Sequence, residues 1–326
     1  MTFDHQDFFT SRPDMGSLRT LFSRKTAKDL MAVNLLGTQV EVARIRRHAG
    51  QQPRVEVCTR YSGEGAERLQ ALRREWRLDR QYCSTLLPVG RYQIQSVEAP
   101  AVPEAELKAA VRWRMKDYLD YPVESAVIDV LPVPSRTTGS RPNLVYAVSA
   151  RSADIKLTMD LFSRAKLNLQ VIEIPEMAQR NLAALFETDQ RALAMLSFSS
   201  DGGLLTFSAR GELYLSRRIE VTLEQLVDSG AEARQLLCER IALELQRSLD
   251  NFDRQHNEVP VSRLLLAPLP AQVGLAEYLA GNLSAKAEMV DLGEVLDFEE
   301  TPQLREAGEQ LAHWQALGTA LRLEAA

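Results

Sequence analysis

The sequence predicts an α/β protein of two related halves, the first interrupted by a small α+β unit ordered strand-helix-strand-strand. Three observations predict it. Each half opens on short apolar runs, alternating in places, around a Gly-containing turn, the pattern of a half-buried hairpin. Each opening leads into segments of helical period and then into further short apolar runs, as mixed α/β architectures require. The chain has 326 residues, 45% hydrophobic and 25% charged, enough to bury two cores.

Residues 1–27 have no hydrophobic period, and Leu18, Leu21 and Phe22 stand among Arg19, Arg24 and Lys25 with no acid from Met15 to Lys28. They predict a mobile basic arm, either a solvated tail or a short amphipathic contact for an anionic surface or partner. Strands follow at 30–35 and 40–45 around Gly37-Thr38, with a third at 54–61. Leu69 and Leu72 then mark a helix at 65–76.

The inserted unit starts with a strand at 92–97 and a proline-bracketed turn at 99–103. The helix predicted at 104–119 carries Glu104 and Glu106 in its first turn, where the helix dipole favours acids. Leu107, Ala110, Val111, Met115 and Tyr118 make its apolar stripe, with Arg114 inside the stripe and Trp113 off it. Strands at 126–131 and 143–149 flank a Pro-, Ser- and Thr-rich loop, 132–142, expected to be mobile. A helix at 154–166, a strand at 168–174 and a helix from Pro175 to 186 complete this half.

After a polar break at 187–190, a strand at 193–198 and a hairpin at 204–208 and 212–219 repeat the opening of the first half. The long helix 231–252 puts Leu237, Ile241, Leu245, Ser248 and Phe252 on one face. A strand at 263–267, a helix at 272–282, a strand at 287–291 and a closing helix at 310–323 follow. The expected domains are therefore an arm at 1–27, a first domain at 28–190 with its insert at about 84–166, a second domain at 191–305, and a helix at 306–326 returning to the first.

A net charge of −5 gives no cationic field for nucleic acid, so no nucleic-acid partner is expected. Cys58, Cys83 and Cys238 have no metal or redox spacing and read as buried reduced thiols. His5, His48, His256 and His313 stand apart, without zinc spacing, and read as surface or helix-end residues. No apolar run approaches the roughly 20 residues of a membrane span, and Asp4 and Asp7 do not fit a secretory leader. A cytoplasmic location without direct membrane insertion is expected.

Two halves of this kind suggest an actin-like ATPase fold, in which related domains close over a nucleotide. The runs VEAPAVPEAEL (97–107), RWRMKD (112–117), YPVE (121–124), ELQRSLDNF (244–252) and ALGTALR (316–322) make the sequence more specific. Together they resemble PilM-like type IV pilus assembly proteins, most closely the MSHA pilus biogenesis branch, the MshI proteins. The resemblance spans roughly residues 29–322. It implies a scaffold, peripheral to the inner membrane through its partners, that binds the cytoplasmic N-terminal segment of a PilN-like membrane protein. The pilus assembly ATPase is a further implied partner. The peptide is implied to lie between the first subdomain and the insert, with Trp113 and Arg114 of the helix 104–119 as contacts.

ATP-binding members of such a family carry a G-I-D-I-G-S turn in the first hairpin. Here Asn34 stands at the Asp and Leu36 at the following Gly. In the second turn Ser197 stands where an acid is expected, and Ser200-Asp201-Gly202-Gly203 comes a few residues late. The adenosine turn is matched by Ala267-Pro268-Leu269-Pro270, whose prolines remove amide donors. Residual nucleotide contact is expected at Asn34, Gly37, Thr38, Ser197, Ser199, Asp201 and Gly202. No required cofactor is expected, ATP with magnesium being at most weakly held, and no catalysis. The alternative is an ATPase or phosphotransferase with Asn34 or Asp201 standing in for the missing acids.

Overall fold

A computed structural model describes residues 3–4, 28–63, 65–134, 143–188 and 191–324. The basic arm of 1–27, apart from residues 3–4, and most of the loop 132–142 lie outside these residues. β1 (Phe3–Asp4) and β2 (Lys28–Asp29) precede the first hairpin, β3 (Met31–Leu36) and β4 (Gln39–Arg46). Gly37 takes φ +61° at its turn, a left-handed conformation that costs glycine little. β5 (Arg54–Ser62), α1 (Gly65–Trp76) and β6 (Tyr82–Leu86) follow.

The insert comprises β7 (Tyr92–Glu98), α2 (Glu104–Met115), β8 (Ala126–Pro132) and β9 (Leu144–Arg151). Its strands form a separate sheet in the order β7-β9-β8. The chain rejoins the main sheet through α3 (Ser152–Arg164), β10 (Asn168–Glu173) and α4 (Pro175–Ala183). The insert's sheet is thus narrower than the expected 84–166. β6 pairs with β3 and β10, and Ile155 and Phe162 of α3 pack in the main core.

The second half holds β11 (Ala192–Ser199), β12 (Gly202–Ala209), β13 (Glu212–Ile219), α5 (Leu223–Asp228), α6 (Ala231–Gln255), β14 (Val261–Leu266), α7 (Leu275–Asn282) and β15 (Ala287–Met289). Gly202 takes φ +100°, and a Cβ there would stand 2.8 Å from the Ile219 carbonyl oxygen. The expected single closing helix is two, α8 (Ala307–Ala312) and α9 (Trp314–Ala320), broken at His313 and followed by β16 (Leu323–Glu324), which pairs with β2.

The main sheets run β10-β6-β3-β4-β5 and β13-β12-β11-β14-β15, β1 adding to the outer edge of β10. Numbered within each half, both orders are 3-2-1-4-5, with the first three strands antiparallel and the last two parallel to the first. Helices α4 and α9 pack between the sheets, where Leu182, Trp314 and Leu317 share a core with Ala32, Ile45, Met195 and Leu265. They approach so closely that a Cβ on Gly318 would lie 2.3 Å from the Ala178 carbonyl oxygen.

His256 and His313 stand at helix ends, as expected, but both are buried. His256 closes α6 edge-on to the Tyr214 ring, and His313 is buried with Nδ1 2.6 Å from Glu41 Oε1, which also accepts from Arg60 at 2.9 Å. All three cysteines are buried, as expected, and burial pushes the Cys83 thiol up to about 12.

Candidate functional site

The first phosphate-turn position is committed to the fold. Asn34 is buried on β3, and its Oδ1 accepts from the Leu86 N–H at 3.2 Å. Gly37 and Thr38 form an exposed turn whose Thr38 carbonyl accepts from the Gly63 N–H at 2.9 Å. In the second half, Ser197 is buried on β11 and donates its hydroxyl to Gln179 Oε1. The same Gln179 amide donates to the Met195 and Leu204 carbonyls and to Thr206 Oγ1, so α4 is bonded into the second sheet.

Ser199 Oγ accepts from the Asp201 N–H at 3.1 Å, a local turn that leaves Asp201 exposed. In the Pro268-Leu269-Pro270 turn the one N–H of the three residues, on Leu269, donates to the Met289 sulfur at 3.4 Å. Of the predicted nucleotide residues, Asn34 Oδ1 and the Ser197 and Ser199 hydroxyls are bonded within the chain, the buried Asn34 Nδ2 has no hydrogen-bond partner, and Gly37, Thr38 and Asp201 are exposed.

The insert is anchored to both halves. Tyr92 of β7 donates to Glu176 Oε2 at 2.6 Å, and Arg218 of β13 donates to Glu176 Oε1 at 2.7 Å. Tyr146 of β9 donates to the Tyr214 carbonyl at 3.3 Å and accepts from the Ser216 N–H at 3.2 Å. Burial pushes the Tyr92 hydroxyl up and the Tyr146 hydroxyl to about 12, so both stay protonated.

The insert's sheet has two apolar faces. Val97, Ile128, Val145 and Ala147 meet Val111 and Met115 of α2 on the outer one. Ile94, Val127, Leu131, Tyr146 and Val148 meet the first domain on the inner one. Helix α2 is therefore not the wall between insert and first domain. Trp113 is 70% exposed on its far side, and Tyr118 is 52% exposed because the helix ends at Met115, short of the expected Leu119. Arg114 is exposed and donates to the Glu98 carbonyl at 2.9 Å.

The wall is β8. Asp129 and Leu131, on its inner face, line a cavity of about 510 Å³ whose other sides come from α4, the β12–β13 turn and the chain after α9. Leu131, Met177, Leu185 and Leu321 give it an apolar lining, and Arg47, Arg180 and Arg322 a cationic one. Arg180 donates to the Gly211 carbonyl at 2.6 Å, while its Nε is buried without a hydrogen-bond partner. Behind Asn181 and Arg322, Glu173 is fully buried, and burial raises its carboxyl above the usual range against the pull of Arg322 and Arg180. Burial lowers the Arg180 guanidinium. Sequence spacing could not assemble this cavity, because its residues come from five separate stretches of chain. The one local signal was Asp129 and Leu131 sharing a strand face opposite Ile128.

Two sheets of 3-2-1-4-5 order packed around shared helices make this the actin-like ATPase fold. No family model matches the chain, and no curated protein matches it by sequence. Among solved structures it is similar to a chain of the "PilM-PilN type IV pilus biogenesis complex", with a TM-score of 0.70 and 20% identity, covering 90% of this chain and 98% of that one. It is also similar to the cytoplasmic domain of EpsL, an inner membrane component of the type II secretion system of Vibrio cholerae, at TM-score 0.45 and 15% identity over 87% of this chain and 93% of that one. A Bacteroides thetaiotaomicron protein of actin-like ATPase fold and unknown function aligns at TM-score 0.47 and 9% identity over 86% and 96%.

Proposed function

We propose that this protein is a non-catalytic scaffold of a type IV pilus inner-membrane assembly complex, of the MSHA-like, MshI kind. It holds the cytoplasmic N-terminal segment of a PilN-like membrane protein in the cavity between β8 and the first domain. The observation that carries this reading is the cavity itself: an apolar lining for a peptide's side chains, with the unpartnered Arg180 Nε as a donor for a peptide carbonyl. The similarity to a chain from a PilM-PilN complex supports the choice of partner. Among the described residues no helix is long and apolar enough to cross a membrane, which fits recruitment to the inner membrane through that partner. The pilus assembly ATPase is a second proposed partner. No nucleotide or metal is required in this role.

Calorimetry of the full chain with a synthetic peptide of the PilN-like N-terminal segment tests the proposal. Saturable binding, lost in Leu131→Asp and weakened in Arg180→Ala, is the expected result. Absence of binding, or binding indifferent to both changes, overturns it.

A further inference from the structure

The ends of α1 and α3 meet at a second cavity, of about 200 Å³, lined by Gln70, Arg73, Arg74, Arg164, Ala165 and Lys166. Four of the six are cations and none is an acid, in a chain whose net charge is −5. Among the described residues none of these four is paired with a carboxylate, and Arg73 Nε is buried without a hydrogen-bond partner. Like charges brought together in this way repel one another unless something neutralises them.

Helix capping does not account for the cluster. Cations in a last turn commonly serve the unsatisfied carbonyls there. The last four carbonyls of α3 are already taken: Leu161 by the Ala165 N–H, Phe162 by Leu167, Ser163 by Lys166, and Arg164 by the Gln70 side-chain amide at 3.2 Å. The cations at this end are therefore surplus to the helix.

Lys166 adds an independent observation. It sits at the residue that reverses the chain after α3, with φ +57°, a left-handed conformation in which glycine is the unstrained choice. A lysine there accepts backbone strain, and its side chain lines the basic cavity. The cavity is small against a drug-sized site and suits a compact polyanionic group. Planar guanidiniums supply paired donors to phosphate oxygens, and the ammonium adds a point charge.

We propose that this pocket binds a phosphate group, either on a free anion or on a phospholipid headgroup. The proposal does not depend on the partner-peptide reading, since the two cavities share no residue.

The test uses the full chain in two arms at low salt. Calorimetry measures inorganic pyrophosphate binding. Co-sedimentation compares phosphatidylcholine vesicles with and without phosphatidylglycerol. Lys166→Gly is expected to lower affinity about fivefold while holding or raising the melting temperature, and the double reversal Arg73→Glu with Arg164→Glu to lower it about tenfold or more. Sensitivity of pyrophosphate binding alone to these changes assigns a soluble phosphate ligand; sensitivity of phosphatidylglycerol-dependent sedimentation assigns a headgroup. No binding in either arm, or binding in both that survives the reversals in a protein of wild-type melting temperature, overturns the proposal.

Discussion

Arg218 of the second domain stands 2.7 Å from Glu176 of the first, on the helix that lies between the two sheets. Glu176 is buried and also accepts the Tyr92 hydroxyl, so one carboxylate gathers first domain, insert and second domain. Removing the arginine strands a buried charge. Arg218→Ala should cost about 3–5 kcal/mol, and Glu176→Gln combined with Arg218→Met should recover a large part of that. Urea unfolding of the wild type and the two variants checks it; an Arg218→Ala midpoint near wild type contradicts it.

The purified protein should show no magnesium-dependent ATP hydrolysis above background. Restoring acids should not create it: Asn34→Asp puts a carboxylate into a buried site beside Leu86, and Ser197→Asp breaks the bond to Gln179. The double variant is expected to bind nucleotide no better and to melt lower than wild type. Phosphate release and calorimetry on both proteins decide the point, and robust turnover by either one contradicts it.

Trp113 and Leu131 separate two surfaces of the insert. Trp113→Ala, on the exposed side of α2, should change stability by less than about 0.5 kcal/mol and leave peptide affinity unchanged. Leu131→Asp should abolish peptide binding. A Trp113→Ala protein that melts normally yet loses the peptide moves the binding surface to the outer face of α2.

Glu173 predicts a pH dependence. Burial raises its carboxyl in the folded chain above the ordinary 4.5, so the native state holds the proton more tightly than the unfolded one. Its relative stability is then greatest below the unfolded value and is lost as pH rises through the folded value. Glu173→Gln should therefore melt above wild type at pH 7, with the advantage shrinking toward pH 4. A lower melting temperature for the variant at pH 7 contradicts this.

The hairpins, α1 and the long helix α6 were legible in the sequence to within a few residues, because each carries a clear period over its own length. β6 was missed. It is a five-residue strand directly after an Arg-rich helix, and Ser84 and Thr85 are buried polar residues that hide the apolar run a central strand normally shows. The break at His313 was invisible for a different reason, since the residue bonds Glu41, 272 positions earlier. Trp113 was read correctly as lying off the apolar stripe. Which side of the insert met the first domain depended on the three-stranded sheet, whose order local pattern does not encode.

Gly318 has a genetic consequence. With the Ala178 carbonyl at van der Waals limits, even one methyl at this position acts as a wedge between α4 and α9. Both helices also bear on the larger cavity, through Met177 and Arg180 on one side and Leu321 on the other, so such a variant loses heat resistance and loosens that cavity together, while the smaller basic cavity keeps its residues. Gly318→Ala is therefore the natural starting point for a conditional allele, functional in cool cultures and lost on upshift.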